Sequence, residues 1–208
     1  MGDATNNHST EPVVVVTGFG PFGHHKINAS WEAVKMLHQL DTENDLKIKL
    51  VTLEIPVEYN FVESEIPKIW DKYQPELVVH VGVSSVASAI TLETQAHKSG
   101  YKQADISERL PTLGSNCLCD EECLTTKLDV PAISLSVTLN EGLPVCVSKD
   151  AGRYLCEFSY FTSLSQDESR ARAIFIHVPE LNKPYSASDL AKGIKGVIRE
   201  ILIRRKQN

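Results

Sequence analysis

No apolar run in the 208 residues approaches the roughly 20 that a membrane-spanning helix needs, so the membrane is not an expected partner. Basic charge is also in short supply. Lys and Arg number 21 against 27 Asp and Glu, a net charge of −6, and no basic stripe interleaved with aromatics appears. Nucleic acid is therefore not an expected partner. Cysteine is sparse, odd in number at five, and unevenly spread, which does not describe a disulfide framework. Met1–Thr10 lacks the apolar core of a signal peptide, so a reducing, cytoplasmic setting is expected and the Asn28-Ala29-Ser30 sequon is expected to go unmodified. The remainder, 42% hydrophobic and 23% charged, describes an ordinary soluble chain large enough for one core. A single domain over residues 12–208, preceded by a frayed extension at 1–11, is the resulting expectation.

Within that domain the apolar pattern alternates between two periods. Val13–Thr17, Leu77–Val81 and Ala173–Val178 are continuous β-branched or apolar runs, the pattern of strands buried on both faces. Leu46–Ile55, Thr91–Glu93 and Pro144–Val147 read as further extended pieces. Helical spacing appears after Asn28 to about Leu40, over Glu58–Tyr73 with Pro67 as an irregularity, from about Tyr154 to Ser163, and from Ser186 or Ser188 to about Arg204; Asp129–Gly142 has the composition of a strand but the Asp129 cap, early Pro131 and terminal Gly142 of a helix, and is read as a helix because a strand follows at once. Residues 97–127 are polar, broken by Pro111 and Gly114, and hold three cysteines, so an irregular excursion is expected there. The strand–helix alternation predicts a mainly parallel sheet with helices on both faces. Ligands in such sheets lie beyond the carboxyl ends of the strands.

That rule selects the Gly18–Gly23 loop, Val83–Glu93, Cys156 and His177. Cys156 falls in the opening turns of a helix, in KDAGRYLCEFSYF, where unpaired N–H groups and the positive dipole end favour an anion such as a thiolate. His177, at the end of AIFIHVP, is the base a sulfur nucleophile needs. Glu93 is a carboxylate placed to orient and stabilise the imidazolium. Each has an ordinary alternative: a small buried cysteine, a satisfied core histidine, a solvated glutamate. Together they form a nucleophile, a base and an orienting acid suited to acyl transfer.

Two other patterns compete. Gly18, Gly20 and Gly23 in GFGPFG match a dinucleotide fingerprint, with Glu54 where a ribose-binding acid would sit, so a Rossmann-like nucleotide-binding protein is an alternative. Against it, Pro21 and the loop His24–Ile27 postpone the following helix, and Phe19 and Phe22 put rings where a phosphate would approach. Rings suit the wall of a small apolar pocket better. Cys117, Cys119 and Cys123 suggest zinc only weakly, since the spacing lacks a fourth ligand and paired CxxC units.

Taken together, VVVVTGFGPFG, INASWEAVKML, HVGVS, ITLE, DAGRYLCEFSYF and FIHVP resemble the type I pyroglutamyl peptidases, in the family's order and from about Val13 to Leu202. The resemblance implies a single-domain, three-layer α/β/α open sandwich. It implies a cytosolic, cofactor-free and metal-free cysteine peptidase that removes N-terminal pyroglutamate from small peptides. It assigns Cys156 as nucleophile, His177 as base and Glu93 as orienting acid. Phe19 and Phe22 match the rings that sandwich the pyrrolidone, and Val83 a position whose backbone bonds the lactam. Tyr154, Leu155 and, more loosely, Val57 match pocket-lining positions, and Asn28 an asparagine bracing the loop and helix start. The stretch Ala104–Lys127 is longer than in bacterial members, while animal members carry a cysteine-containing excursion there. The bacterial tetramer is accordingly not carried over, and monomer or homo-oligomer stays open. A catalytically silent binder of pyroglutamyl peptides is a further alternative.

Overall fold

A computed structural model describes residues 11–23 and 26–207. Except for Glu11, the N-terminal extension expected at 1–11 lies outside the described residues, as do His24 and His25 of the expected loop. The strands are β1 (Val13–Phe19), β2 (Lys49–Ile55), β3 (Leu77–Val83), β4 (Ile90–Glu93), β5 (Gln95–His97), β6 (Cys123–Thr125), β7 (Val145–Ser148) and β8 (Ala173–Val178). The helices are α1 (Ala29–Gln39), α2 (Thr42–Leu46), α3 (Tyr59–Tyr73), α4 (Val130–Glu141), α5 (Leu155–Gln166) and α6 (Ala187–Arg205).

Six strands form one sheet in the order β2-β1-β3-β8-β4-β7. Neighbouring strands are parallel except β4 and β8, which run antiparallel. The core divides on either side of the sheet. One half packs Val14, Val16, Val79, Val81, Ile174 and Ile176 against α1, α4 and α6. The other packs Val15, Phe19, Val78 and Phe175 against α3 and α5. The result is the expected three-layer α/β/α sandwich.

Several expectations are refined. Lys49, not Leu46, opens the second strand, because the short helix α2 uses Thr42–Leu46 first. The excursion is less irregular than its composition suggests: β5 and β6 pair antiparallel, bringing Gln95 opposite Thr125. The carboxyl-rim rule also needs correction. The chain turns directly from the end of β3 into β4, with Ala87 N–H donating to Ser84 O at 3.2 Å. So short a return cannot cross the sheet, and β4 runs against β8. Glu93 is therefore opposite Phe175, not beyond a carboxyl end.

Period-two alternation explains what unites the polar residues. Thr17, His80 and His177 occupy the same side of their strands as Val15, Val78 and Phe175, the side facing α5. His80 is fully buried there, with Nδ1 at 2.6 Å from Thr17 Oγ1 and Nε2 at 2.6 Å from Ser163 Oγ, which also accepts from Trp70 Nε1 at 3.1 Å. Burial pushes its pKa down from 6.5 to about 3. The unfolded chain thus takes up a proton that the folded chain refuses, and stability drains away as pH falls from 6.5 toward 3. The unfolding free energy from urea titrations should fall over that range with a slope of up to about 1.4 kcal/mol per pH unit from this group. The His80→Gln variant should show a shallower acid slope than wild type; equal slopes would contradict the assignment.

Candidate active site

Glycine in the middle of a buried strand usually marks a close approach. Gly82, in register with His177 across β3 and β8, is such a position. A Cβ added there would lie 2.7 Å from Cys156 Sγ and 2.8 Å from Phe175 Cζ. The sulfur therefore occupies the space that a side chain on β3 would fill. Cys156 is the second residue of α5, whose N-cap, Tyr154, makes no side-chain cap hydrogen bond. Phe158 N–H donates to Tyr154 O at 3.0 Å, closing the first turn.

His177 stands on the strand beside the sulfur's seat: it is paired with Gly82, the glycine against which Sγ packs, and both side chains line the same cleft. On its other side, Nδ1–H donates to Glu93 Oε1 at 2.8 Å. Burial disfavours the charged ring, but the neighbouring Cys156 sulfur and the hydrogen-bonded Glu93 carboxylate outweigh it and raise the imidazole pKa well above its usual range. Glu93 is itself fixed in place, since its backbone carbonyl accepts from Tyr160 OH at 3.0 Å. All three side chains line one open cleft of about 410 Å³ with Thr91, Ser148 and Tyr154.

A second cleft adjoins it. Phe19, Phe22, Asn28, Val57, Val83, Tyr154, Leu155 and Cys156 line a narrow slot. Every residue expected in the pocket is in this slot, including Val57. Asn28 caps α1 by accepting from Ser30 N–H at 3.0 Å and donates through Nδ2 to Gly20 O at 2.9 Å. It is buried, so the sequon is closed to a glycan. The same residues disfavour the nucleotide reading. Ser30 Oγ accepts from Phe19 N–H at 3.0 Å, and a Cβ on Gly18 would lie 2.8 Å from Trp31 Cα. Gly18 thus serves helix–strand packing, and α1 begins against the loop instead of facing a phosphate.

Sequence reasoning missed the brace behind Cys156. Glu157 is fully buried, and its carboxylate accepts from His97 N–H at 3.1 Å, meets His97 Nδ1 at 2.8 Å and accepts from Arg153 Nη1 at 2.8 Å. Arg153 also reaches Asp150 Oδ1 at 2.8 Å. His97, Asp150 and Glu157 form the one metal-capable trio among the described residues, and no cysteine belongs to it. Arg153 already spans two of its members, so the trio reads as an ion-pair clasp.

Residues 13–200 match the family model described as pyroglutamyl peptidase. The chain belongs to the pyroglutamyl peptidase family. Pyroglutamyl-peptidase 1 of Mus musculus is 46% identical over 192 residues, covering 91% of this chain and 89% of the relative. The Homo sapiens protein of that name gives the same figures, and the pyrrolidone-carboxylate peptidase of Thermococcus kodakarensis is 31% identical over 92% of this chain and 94% of its own. Pyroglutamyl peptidase I of Bacillus amyloliquefaciens superposes with a TM-score of 0.78 at 25% identity, covering 91% of this chain and 96% of that one. The Thermococcus litoralis enzyme, at 22% identity and a TM-score of 0.81 over 94% and 96%, shares the fold.

The tight seat of this family member's sulfur yields a test. In Gly82→Ala the new methyl must displace Cys156 Sγ or the Phe175 ring. A stability loss of about 1–3 kcal/mol is expected, as for other overpacked cores. Alkylation of Cys156 by iodoacetamide should slow at least about tenfold through loss of the His177 contact. An unchanged alkylation rate would mean that the glycine has no part in seating the sulfur.

Proposed function

We propose that the protein is a cysteine peptidase that removes the N-terminal pyroglutamyl residue from small peptides, with Cys156 as nucleophile, His177 as general base and acid, and Glu93 as orienting acid. The observation carrying this reading is one cleft lined by Cys156, His177 and Glu93, with His177 bonded to Glu93, set beside an aromatic slot. The family to which the chain belongs supports it. No helix among the described residues is long and apolar enough to cross a membrane. We assign the protein to the cytoplasm, where free thiols persist.

The reaction follows from the geometry. The Cys156 thiolate attacks the pyroglutamyl carbonyl carbon. The oxyanion forms near the start of α5, where the Cys156 N–H and its neighbours point outward; losing one such donor typically costs about 2.7–4 kcal/mol. His177 gives its proton to the departing amine, leaving a thioester. It then takes a proton from water, which attacks the thioester and releases pyroglutamate. Glu93 holds the ring through Nδ1, so the other nitrogen stays directed at sulfur.

Specificity follows from the slot. Pyroglutamate is flat and uncharged, so Phe19 and Phe22 cover its faces and the Val83 backbone satisfies its amide. Tyr154, Leu155 and Val57 close the sides. An N-terminal glutamate would carry two charges into this apolar space without partners.

Hydrolysis of a pyroglutamyl-coumarin amide, with and without iodoacetamide, tests the reading. Turnover should be rapid and thiol-dependent, and the glutamyl analogue should react at least about a hundredfold more slowly, the discrimination expected of unpaired buried charge. Comparable rates on the two substrates would refute the slot assignment. Cys156→Ser should retain its fold and lose nearly all activity. Glu93→Gln should lose less than His177→Ala, and NMR should show the His177 ring titrating lower in Glu93→Gln than in wild type. A wild-type-like imidazole titration in that variant would remove Glu93 from its role.

A further inference from the structure

The slot's walls are not of one kind. Val57 and Tyr154 stand beneath residues 103–107, a segment of the excursion that neither cleft includes. Five hydrogen bonds tie it down. Ile106 N–H donates to Val57 O at 3.2 Å, and Tyr154 OH donates to Ala104 O at 3.2 Å. Tyr59 OH donates to Gln103 O at 3.0 Å, and Ser107 Oγ donates to Glu58 Oε1 at 2.8 Å. The fifth runs from Tyr59 N–H to Asp105 Oδ2 at 3.0 Å.

Asp105 is the hub of this segment. Its side chain is buried, and Oδ1 accepts from the Ser107 and Arg109 N–H groups at 2.9 Å each, folding the segment into a tight turn. Oδ2 meets the first N–H of α3, whose N-cap, Glu58, makes no side-chain cap hydrogen bond. A carboxylate from 46 residues away thus completes the start of α3, two residues after Val57. The rings below form one packed set: Tyr59 lies edge-on to Tyr154 at 6.1 Å and to Phe158 at 5.0 Å. A shift of the segment would therefore pass directly to Val57 and Tyr154, and through Tyr154 to the start of α5.

We propose that residues 103–107 are a strap that fixes the back wall of the acyl slot, and that Asp105 is a positioning residue for substrate binding, acting through Val57 and Tyr154. The proposal rests on the reading of the slot as the pyroglutamyl site. It gives the excursion a function in the reaction, although none of the strap's residues touches the reacting atoms. The strap governs how well the ring is gripped, while the sulfur and imidazole keep their own supports at Gly82 and Glu93.

The closing experiment measures KM and kcat separately on the pyroglutamyl-coumarin amide, with iodoacetamide alkylation of Cys156 as a control. Asp105→Asn preserves shape and can keep the bonds to Ser107 and Arg109, but turns a donor toward the Tyr59 N–H. KM should rise about tenfold, with kcat and the alkylation rate within about twofold of wild type. Tyr154→Phe keeps the ring and removes only the tie to Ala104, and KM should rise at least about threefold. Should Asp105→Asn fail to fold, Tyr154→Phe and Ser107→Ala carry the test. An unchanged KM in all folded variants, beside an active wild type, overturns the strap and leaves the proposed function standing. A parallel fall of kcat and alkylation rate also overturns it, since that marks general loosening. A wild type with no turnover of the amide overturns the functional reading, and the strap with it.

Discussion

The approach of the Cys156 sulfur to the backbone of Gly82 is the constraint on which the site depends. A sulfur placed where a side chain would project from β3 has its position set by the sheet itself, in a close-packed core. The register then does the rest. Gly82 and His177 are paired residues, so the imidazole stands beside the sulfur without any loop having to hold it there. Reversal of β4 is part of the same solution. Had β4 run parallel to β8, Glu93 would lie past the strand end; running antiparallel, it sits one diagonal step from His177 and reaches its Nδ1. Cys156, His177 and Glu93 are thus brought together by a helix start and two adjacent strands.

The same face of the sheet carries a second polar chain, Thr17–His80–Ser163–Trp70, one step farther into the core. The two histidines differ in what surrounds them. His80 meets only neutral hydroxyls, so burial acts unopposed and the ring stays neutral. His177 meets the Cys156 sulfur and the Glu93 carboxylate, which outweigh the same burial and raise the ring's pKa. Both are histidines at buried strand positions, yet one serves packing and the other bears charge. The neighbours, not burial, decide the protonation state.

Much of this was legible in the sequence. The continuous apolar runs marked β1, β3 and β8, and Asp129 with Pro131 and Gly142 marked α4, because each signal is local to the element it specifies. Cys156, His177 and Glu93 were found by asking which reactive residues follow strands. The reasons for their meeting were not legible. Strand direction at β4 depends on the turn after β3, and short turns of small residues have no strong signature. Gly82 read as the end of a strand, while its function is to leave room for an atom 74 positions away. Asp105 and Glu157 carried no mark of their roles, since a lone carboxylate gives no sign of the N–H groups that will bury it.

The division between fixed and adjustable walls bears on how the slot can work. Its cavity is about 10 Å³, near the minimum for a single water and far below the volume of a five-membered lactam. The slot opens into the larger cleft through Phe22, Val83, Tyr154 and Cys156, which line both, so a ring seated in it as proposed is accommodated from that side. Phe19, Val57 and Leu155 are core residues, 1–2% exposed, and displacing any of them would open the packing between the sheet and α3 or α5. Phe22 is only partly buried and packs against both halves of the core from the loop between β1 and α1. It is the wall whose displacement disturbs least. Closing that ring over the substrate then recovers apolar contact only when a flat, uncharged group fills the slot. With the slot as the proposed pyroglutamyl site, selectivity for the lactam follows from a buried back wall set against a partly exposed front one, since a site with both walls open to solvent would close equally well on a smaller or misplaced group.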